Sequence, residues 1–177
     1  MFHARFARFG LLAAAVLWTA SVTAPPAVAA APAPIKLAVF DFELEDYSAG
    51  ALSTGETSAD AKGLASMTGD IRALLARSGR YSVVEVGDAD APAAKEHALH
   101  GCNGCDAAIA LKLGADQSFV GVVKRISRTE YTVRFQIRDA RTGALISDEE
   151  SGLRMGADYS WGRGAARLIK DRLLAQQ

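Results

Sequence analysis

A single α/β domain with a mixed sheet, in the order β-α-β-α-β-β-β-α, is the fold class this sequence predicts, and three stretches predict it. The run IKLAVFDFEL (Ile35 to Leu44) is almost continuously apolar and rich in strand formers, as a central strand covered on both faces requires. Leu64, Met67, Ile71, Leu74 and Leu75 recur at helical spacing. In EYTVRFQIRDA, Tyr131, Val133, Phe135 and Ile137 alternate with Thr132, Arg134, Gln136 and Arg138, so one sheet face is buried and the other is wet.

The first residues read as an export signal. Arg5 and Arg8 form a basic start, and GLLAAAVLWTASV follows as an apolar run of about a dozen residues, too short to span a bilayer as a helix. Small residues near Ala27-Val28-Ala29 suit cleavage, and no cysteine stands there to take a lipid. The division expected is a signal peptide over 1–29, an Ala/Pro-rich mature start over 30–34 and one α/β domain over 35–177. Export places the mature chain in a periplasm, without membrane insertion once the signal is removed. Losing Arg5 and Arg8 from 20 basic residues leaves 18 against 20 acidic ones. A net charge near −2 argues against nucleic acid, whose phosphates need a basic face.

After the first strand, the polar EDYSAGALSTGETSAD reads as a long loop, a kind of segment that often carries function. Thr57 or Ser58 caps the first helix, which RSGRY ends. YSVVEV is the second strand, and CDAAIALKLG is a short helix closed by Gly114. QSFVGVVKRIS and EYTVRFQIRDA are the next strands. Gly143 stands where a tight hairpin needs a positive φ, leading into ALISDEESGLR. Trp161, Ala165, Leu168, Ile169 and Leu173 stripe a final helix.

Taken together, KLAVFDFEL, RYSVVEV, LGADQSFVGVVKRIS and IRDARTGALISD resemble the amino-terminal domain of the Tol-system protein TolB and curli-secretion-type lipoproteins. More closely they resemble an uncharacterised family of secreted proteobacterial proteins that carries a domain-of-unknown-function label. Its pattern matches CNGC at Cys102 to Cys105, GAD at Gly114 to Asp116, RDA-TG at Arg138 to Gly143 and Trp-x-Arg-Gly at Trp161 to Gly164. The resemblance implies a fold of the TolB amino-terminal type and a binding or assembly module with a periplasmic protein partner. Unlike TolB, the chain has no following propeller.

Two clusters bear chemistry. His97, His100, Cys102 and Cys105 lie within nine residues. In an oxidising compartment the two thiols pair, and a loop this small contributes about 2 kcal/mol. Two alternatives stay open: thiol exchange, since a helix amino terminus favours thiolate, and a metal held by two nitrogens and two sulfurs. Asp106, where a haem motif needs His, excludes covalent haem. The second cluster is Asp41, Glu43 and Glu45, whose alternation sets three carboxylates on one face as oxygen ligands for a hard cation. The calcium-loop pattern then breaks at Asp46 and Leu52. Solvated or ion-paired acids are the plainer reading.

Cross-strand pairs are expected between Arg134 or Arg138 and Asp148, Glu149 or Glu150. Arg134, Arg138, Arg154, Trp161 and Arg163 are the residues expected to meet a partner. No phosphate loop, nucleophile elbow or zinc-protease motif is present, and no cofactor is expected. The sequence therefore reads as a non-catalytic periplasmic binding or assembly accessory. The alternative is a thiol-redox or metal-handling protein built on Cys102 and Cys105.

Overall fold

The computed structural model describes residues 32–49, 56–86, 98–154 and 161–175. The expected signal segment 1–29, His97 and the middle of the long loop fall outside them. The strands are β1 Ile35–Val39, β2 Glu43–Asp46, β3 Tyr81–Val84, β4 Gln117–Arg125, β5 Glu130–Asp139 and β6 Leu145–Arg154. The helices are α1 Ser58–Arg77, α2 Cys105–Lys112 and α3 Trp161–Ile169, the last prolonged by a wider π-type turn, Lys170–Leu174. A 3₁₀ turn, Leu99–Gly101, precedes α2.

All six strands join one mixed sheet in the order β3-β1-β4-β5-β6, with β2 also on β4. β3, β1, β2 and β4 run parallel, and β4, β5 and β6 are antiparallel. On one face α1 and α3 bury Leu37, Val39, Phe119, Val123, Val133, Phe135 and Ile137. On the other, α2 and the 3₁₀ turn cover Ala38, Phe40 and Val120 with Leu99, Ala110 and Ala115. The ends of α1 are where its sequence puts them. Thr57 caps it in a reciprocal capping box with Asp60, and Gly79 leaves it at φ +71°.

The first strand departs from expectation. It is not one run to Leu44 but two strands separated at residues 40–42. Val39 pairs with Phe119 and Glu43 with Val122, so four steps on this side oppose three on β4: a one-residue bulge. Groups from α1 satisfy the backbone freed there. Arg72 donates to the Val39 carbonyl from Nε at 3.1 Å and Nη2 at 2.7 Å, and the Phe42 N–H donates to Thr68 Oγ1 at 3.0 Å.

A bulge exchanges the faces of the pleat. By plain alternation Glu43 and Glu45 would follow Leu37 and Val39 into the helix-covered core. The bulge puts Phe42 there instead, against Phe119 with ring centroids 6.0 Å apart, and turns Glu43 and Glu45 to the opposite face. The Phe42 ring lies flat over β4 at Gly121, where a Cβ would stand 2.5 Å from its Cδ1 and closer still to Cε1 and Cζ. Glycine is what lets ring and strand approach.

Candidate functional site

The face to which the bulge turns Glu43 and Glu45 carries a ladder of charge across four strands. Register places Glu45 beside Lys124, Arg134 beside Glu150, and Gln136 beside Asp148. Lys124 Nζ lies 3.8 Å from Glu45 Oε2 and 3.7 Å from Glu150 Oε2. Arg134 grips Asp148 with two nitrogens, Nε at 2.6 Å, and Gln136 donates to the same carboxylate at 3.1 Å. The Arg134 guanidinium holds the Asp148 carboxyl below its ordinary range against the opposing effect of burial. Arg134–Asp148 is one of the expected cross-strand pairs, whereas Arg138 pairs with Asp106 and Lys124 supplies the contacts to Glu45 and Glu150.

At the β2 end the ladder meets the 3₁₀ turn, and here the two sequence clusters join. Glu43 accepts the N–H groups of Leu99 at 2.7 Å and His100 at 3.1 Å, and its Oε2 also meets His100 Nδ1. His100 Nε2 faces Glu45 Oε1 at 3.3 Å. Tyr47 donates its hydroxyl to the same oxygen at 2.7 Å, which holds the phenol above its ordinary range. His100 thus lies between two glutamates, one on each ring nitrogen. Its neutral form can donate to only one of them, and its protonated form to both.

This geometry corrects the one-face expectation for Asp41, Glu43 and Glu45. Asp41 sits in the bulge, exposed, and pairs with Arg72 at 3.1 Å. The four-ligand set is not assembled either. Cys102 and Cys105 are bonded to each other with their Cα atoms 5.7 Å apart, His100 is turned to the glutamates, and His97 lies outside the described residues. Among the described residues no group of three or more His, Cys, Asp or Glu side chains is arranged to hold a metal.

The disulfide closes a turn in which Asn103 and Gly104 both take positive φ, 49° and 116°. Cys105 is the first residue of α2. Arg138 reaches this turn from β5: Nη2 to Asn103 Oδ1 at 3.5 Å, Nε to Asp106 Oδ1 at 3.8 Å and Nη1 to the Gly143 carbonyl at 3.1 Å. Asp106, almost fully buried, also accepts the Ser118 hydroxyl.

Arg138 therefore braces the disulfide turn against the hairpin, and Arg134 is committed to Asp148. Two of the arginines expected to meet a partner are thus engaged within the fold. Trp161 is likewise an internal anchor. Its ring packs on Tyr131, centroids 5.8 Å apart, and against Gly63 of α1. Arg163 lies on the exposed side of α3, and Arg154 ends β6 with its side chain outside the described set.

Sequence reading missed a knot at the far end of the sheet. Arg125, the last residue of β4, is held between Asp46 and Asp60, 2.8 Å from the former, with its guanidinium 5.8 Å from the Tyr131 ring centroid and 6.0 Å from that of Trp161. Burial raises the Asp60 carboxyl, but hydrogen bonds from the Thr57 backbone and hydroxyl and from Arg125 outweigh it and hold the group below its ordinary range. The capping pattern Thr57-x-x-Asp60 is legible in the sequence; its pairing with a strand residue 65 positions away is not. A shallow groove of about 580 Å³ beside β3 adds two charged side chains, Arg72 and Glu85, and Arg72 is already engaged in the bulge.

One mixed sheet with helices on both faces defines an α/β domain, and its fold is shared with several solved structures. The hypothetical protein CT253 from Chlamydia trachomatis superposes with a TM-score of 0.52 at 14% identity, over 78% of this chain and 93% of that one. The LpoB C-terminal domain from Salmonella enterica gives 0.51 at 16%, over 72% and 87%. Lipoprotein GNA1162 from Neisseria meningitidis gives 0.50 at 15%, over 78% and 93%. At such identities the likeness is one of fold. The model of the family DUF3280, described as "Protein of unknown function (DUF2380)", matches residues 35–173, and the chain belongs to that family. No curated protein matches it in sequence.

Proposed function

We propose that this chain is an exported, non-catalytic accessory of the cell envelope that works by binding a protein partner. The observation that carries the reading is the closure of its reactive groups on one another. Both cysteines share a bond, both nitrogens of His100 face glutamates, and Lys124, Arg134 and Arg138 lie against acids of the same fold. Such an arrangement builds a rigid polar surface rather than a poised acid and base. The basic, apolar and small-residue start supports export, and a disulfide suits an oxidising compartment. No helix among the described residues is long and apolar enough to cross a membrane. GNA1162, which shares the fold, is a lipoprotein by its name.

The test is fractionation of the full chain expressed with a carboxy-terminal tag, followed by crosslinked capture from the periplasm. The expected result is a processed periplasmic protein that captures the same partner whether or not Cys102 and Cys105 are replaced by serine. Retention in the cytosol with the leader intact overturns the reading.

Thiol exchange is the second reading, favoured by one observation: Cys105 opens α2, where the helix dipole stabilises a thiolate. A mixed disulfide trapped by Cys102→Ser or Cys105→Ser, and lost in the double variant, would establish it in place of the first.

A further inference from the structure

The two margins of the sheet are unlike. β3 at one margin is four residues long. β6 at the other has ten, about 33 Å of strand, bonded to β5 on one side and to no strand among the described residues on the other. Natural edges of that length are blunted by prolines, bulges or charged side chains, lysine above all, because a free row of N–H and C=O groups is a template for another strand; the middle of β6 carries acids alone, which repel a like-charged strand and not a basic one. β6 contains neither proline nor lysine, and its register irregularity is confined to its start, opposite Ile137 and Arg138.

Its side chains select what can pair there. Glu149 stands opposite Phe135 on the helix-covered face, while Asp148 and Glu150 stand on the other, so acids flank the edge on both sides. Asp148 and Glu150 keep 30% and 44% of their side-chain surface exposed despite Arg134 and Lys124, and Glu149 has no ion pair among the described residues. A second copy is a poor occupant: antiparallel self-pairing centred on Glu149 sets that residue opposite its own copy and Asp148 opposite Glu150, and like charges directly opposed are destabilising. A basic strand meets complementary charge on both faces. At the amino end Leu145 and Ile146 are 48% and 52% exposed, an apolar stop beside the acidic centre.

We infer that the outer edge of β6 accepts, by strand addition, an extended segment of a partner protein that is lysine- or arginine-bearing in its middle and apolar where it meets Leu145 and Ile146. The inference deepens the binding reading above and rests on it for the partner's existence, not for the edge's chemistry.

The probe is a ten-residue peptide alternating lysine with threonine or valine and ending in leucine, titrated against the full chain. Its controls replace lysine by glutamate, or threonine and valine by proline at unchanged charge. The lysine peptide is expected to bind at least about tenfold more tightly than either control and to slow amide exchange across 145–154. Glu149→Lys with Glu150→Lys is expected to weaken it by about tenfold. Equal binding of the proline control, protection elsewhere, or no binding of the lysine peptide overturns the proposal. Whether the periplasmic capture succeeds is read separately: a partner retained by the charge-reversed variant sinks the edge and leaves the accessory reading standing. Peptide pairing on β6 without any captured partner does the reverse.

Discussion

Gly121→Ala tests the packing on which the site's orientation depends. The added Cβ would stand 2.5 Å from Phe42 Cδ1 and closer to two further ring atoms, against an ordinary contact of at least 3.4 Å, so the ring must withdraw by roughly an ångström. It has little room. Its own backbone N–H is tied to Thr68 Oγ1 at 3.0 Å, and it rests on Phe119, which stacks on Phe135 at 5.4 Å. Overpacking of this kind costs about 1–3 kcal/mol, and full expulsion of the ring about 3–5 kcal/mol, as for a buried Phe→Ala. Alanine's better strand behaviour offsets about 0.5–1 kcal/mol. A net loss of about 2–3 kcal/mol lowers Tm by roughly 5–10 °C in a domain of this size, measured by thermal denaturation. In a Phe42→Ala background the same change is expected to be neutral or stabilising, because the clash is gone. A Tm within about 1 °C of the parent, or strict additivity of the two substitutions, would refute the argument.

Thr68→Val keeps the shape of that side chain and strands the buried Phe42 N–H; a loss of about 1–3 kcal/mol in urea titration is expected. Replacing both cysteines by serine removes a very short cross-link and is expected to cost about 2 kcal/mol without loss of fold by circular dichroism. Asp60 and Asp148 have folded values below the ordinary 3.8, so the unfolded chain takes up their protons first as pH falls. Their stabilisation is complete above 3.8 and is lost as pH drops through the depressed values, so the urea midpoint is expected to fall below about pH 4, less steeply in Asp60→Asn. Glu43→Gln weakens the clamp on the 3₁₀ turn, and hydrogen exchange at Leu99 and His100 is expected to quicken while β5 stays protected; unchanged exchange would discount the clamp.

Much of the fold is determined along the chain by periodicity and turn chemistry. The α1 stripe, its Thr57 cap, the alternation of β5 and the Gly143 turn, at φ +70°, are local patterns, and each forms as its own residues dictate. The cysteine pair belongs with them, since Asn103 and Gly104 make the turn that brings the sulfurs together. The candidate surface was legible in its residues but not in its assembly. Glu43, Glu45, His100, Arg134 and Arg138 all stand out in the sequence. Which of them meet depends on one extra residue between β1 and β2, accommodated by Arg72 and Thr68 from a helix some thirty positions on. Alternation within a strand states which residues share a face, but a bulge is set by the partner strand and by what packs on it. So three carboxylates that alternation alone would set on one face became, through that single register step, a Glu-His-Glu clamp on one face and an Asp41–Arg72 pair in the bulge itself. The charge pairings across β4, β5 and β6, and the free edge beyond them, were likewise decided by tertiary structure, because opposition across a sheet follows register between strands and not sequence within one.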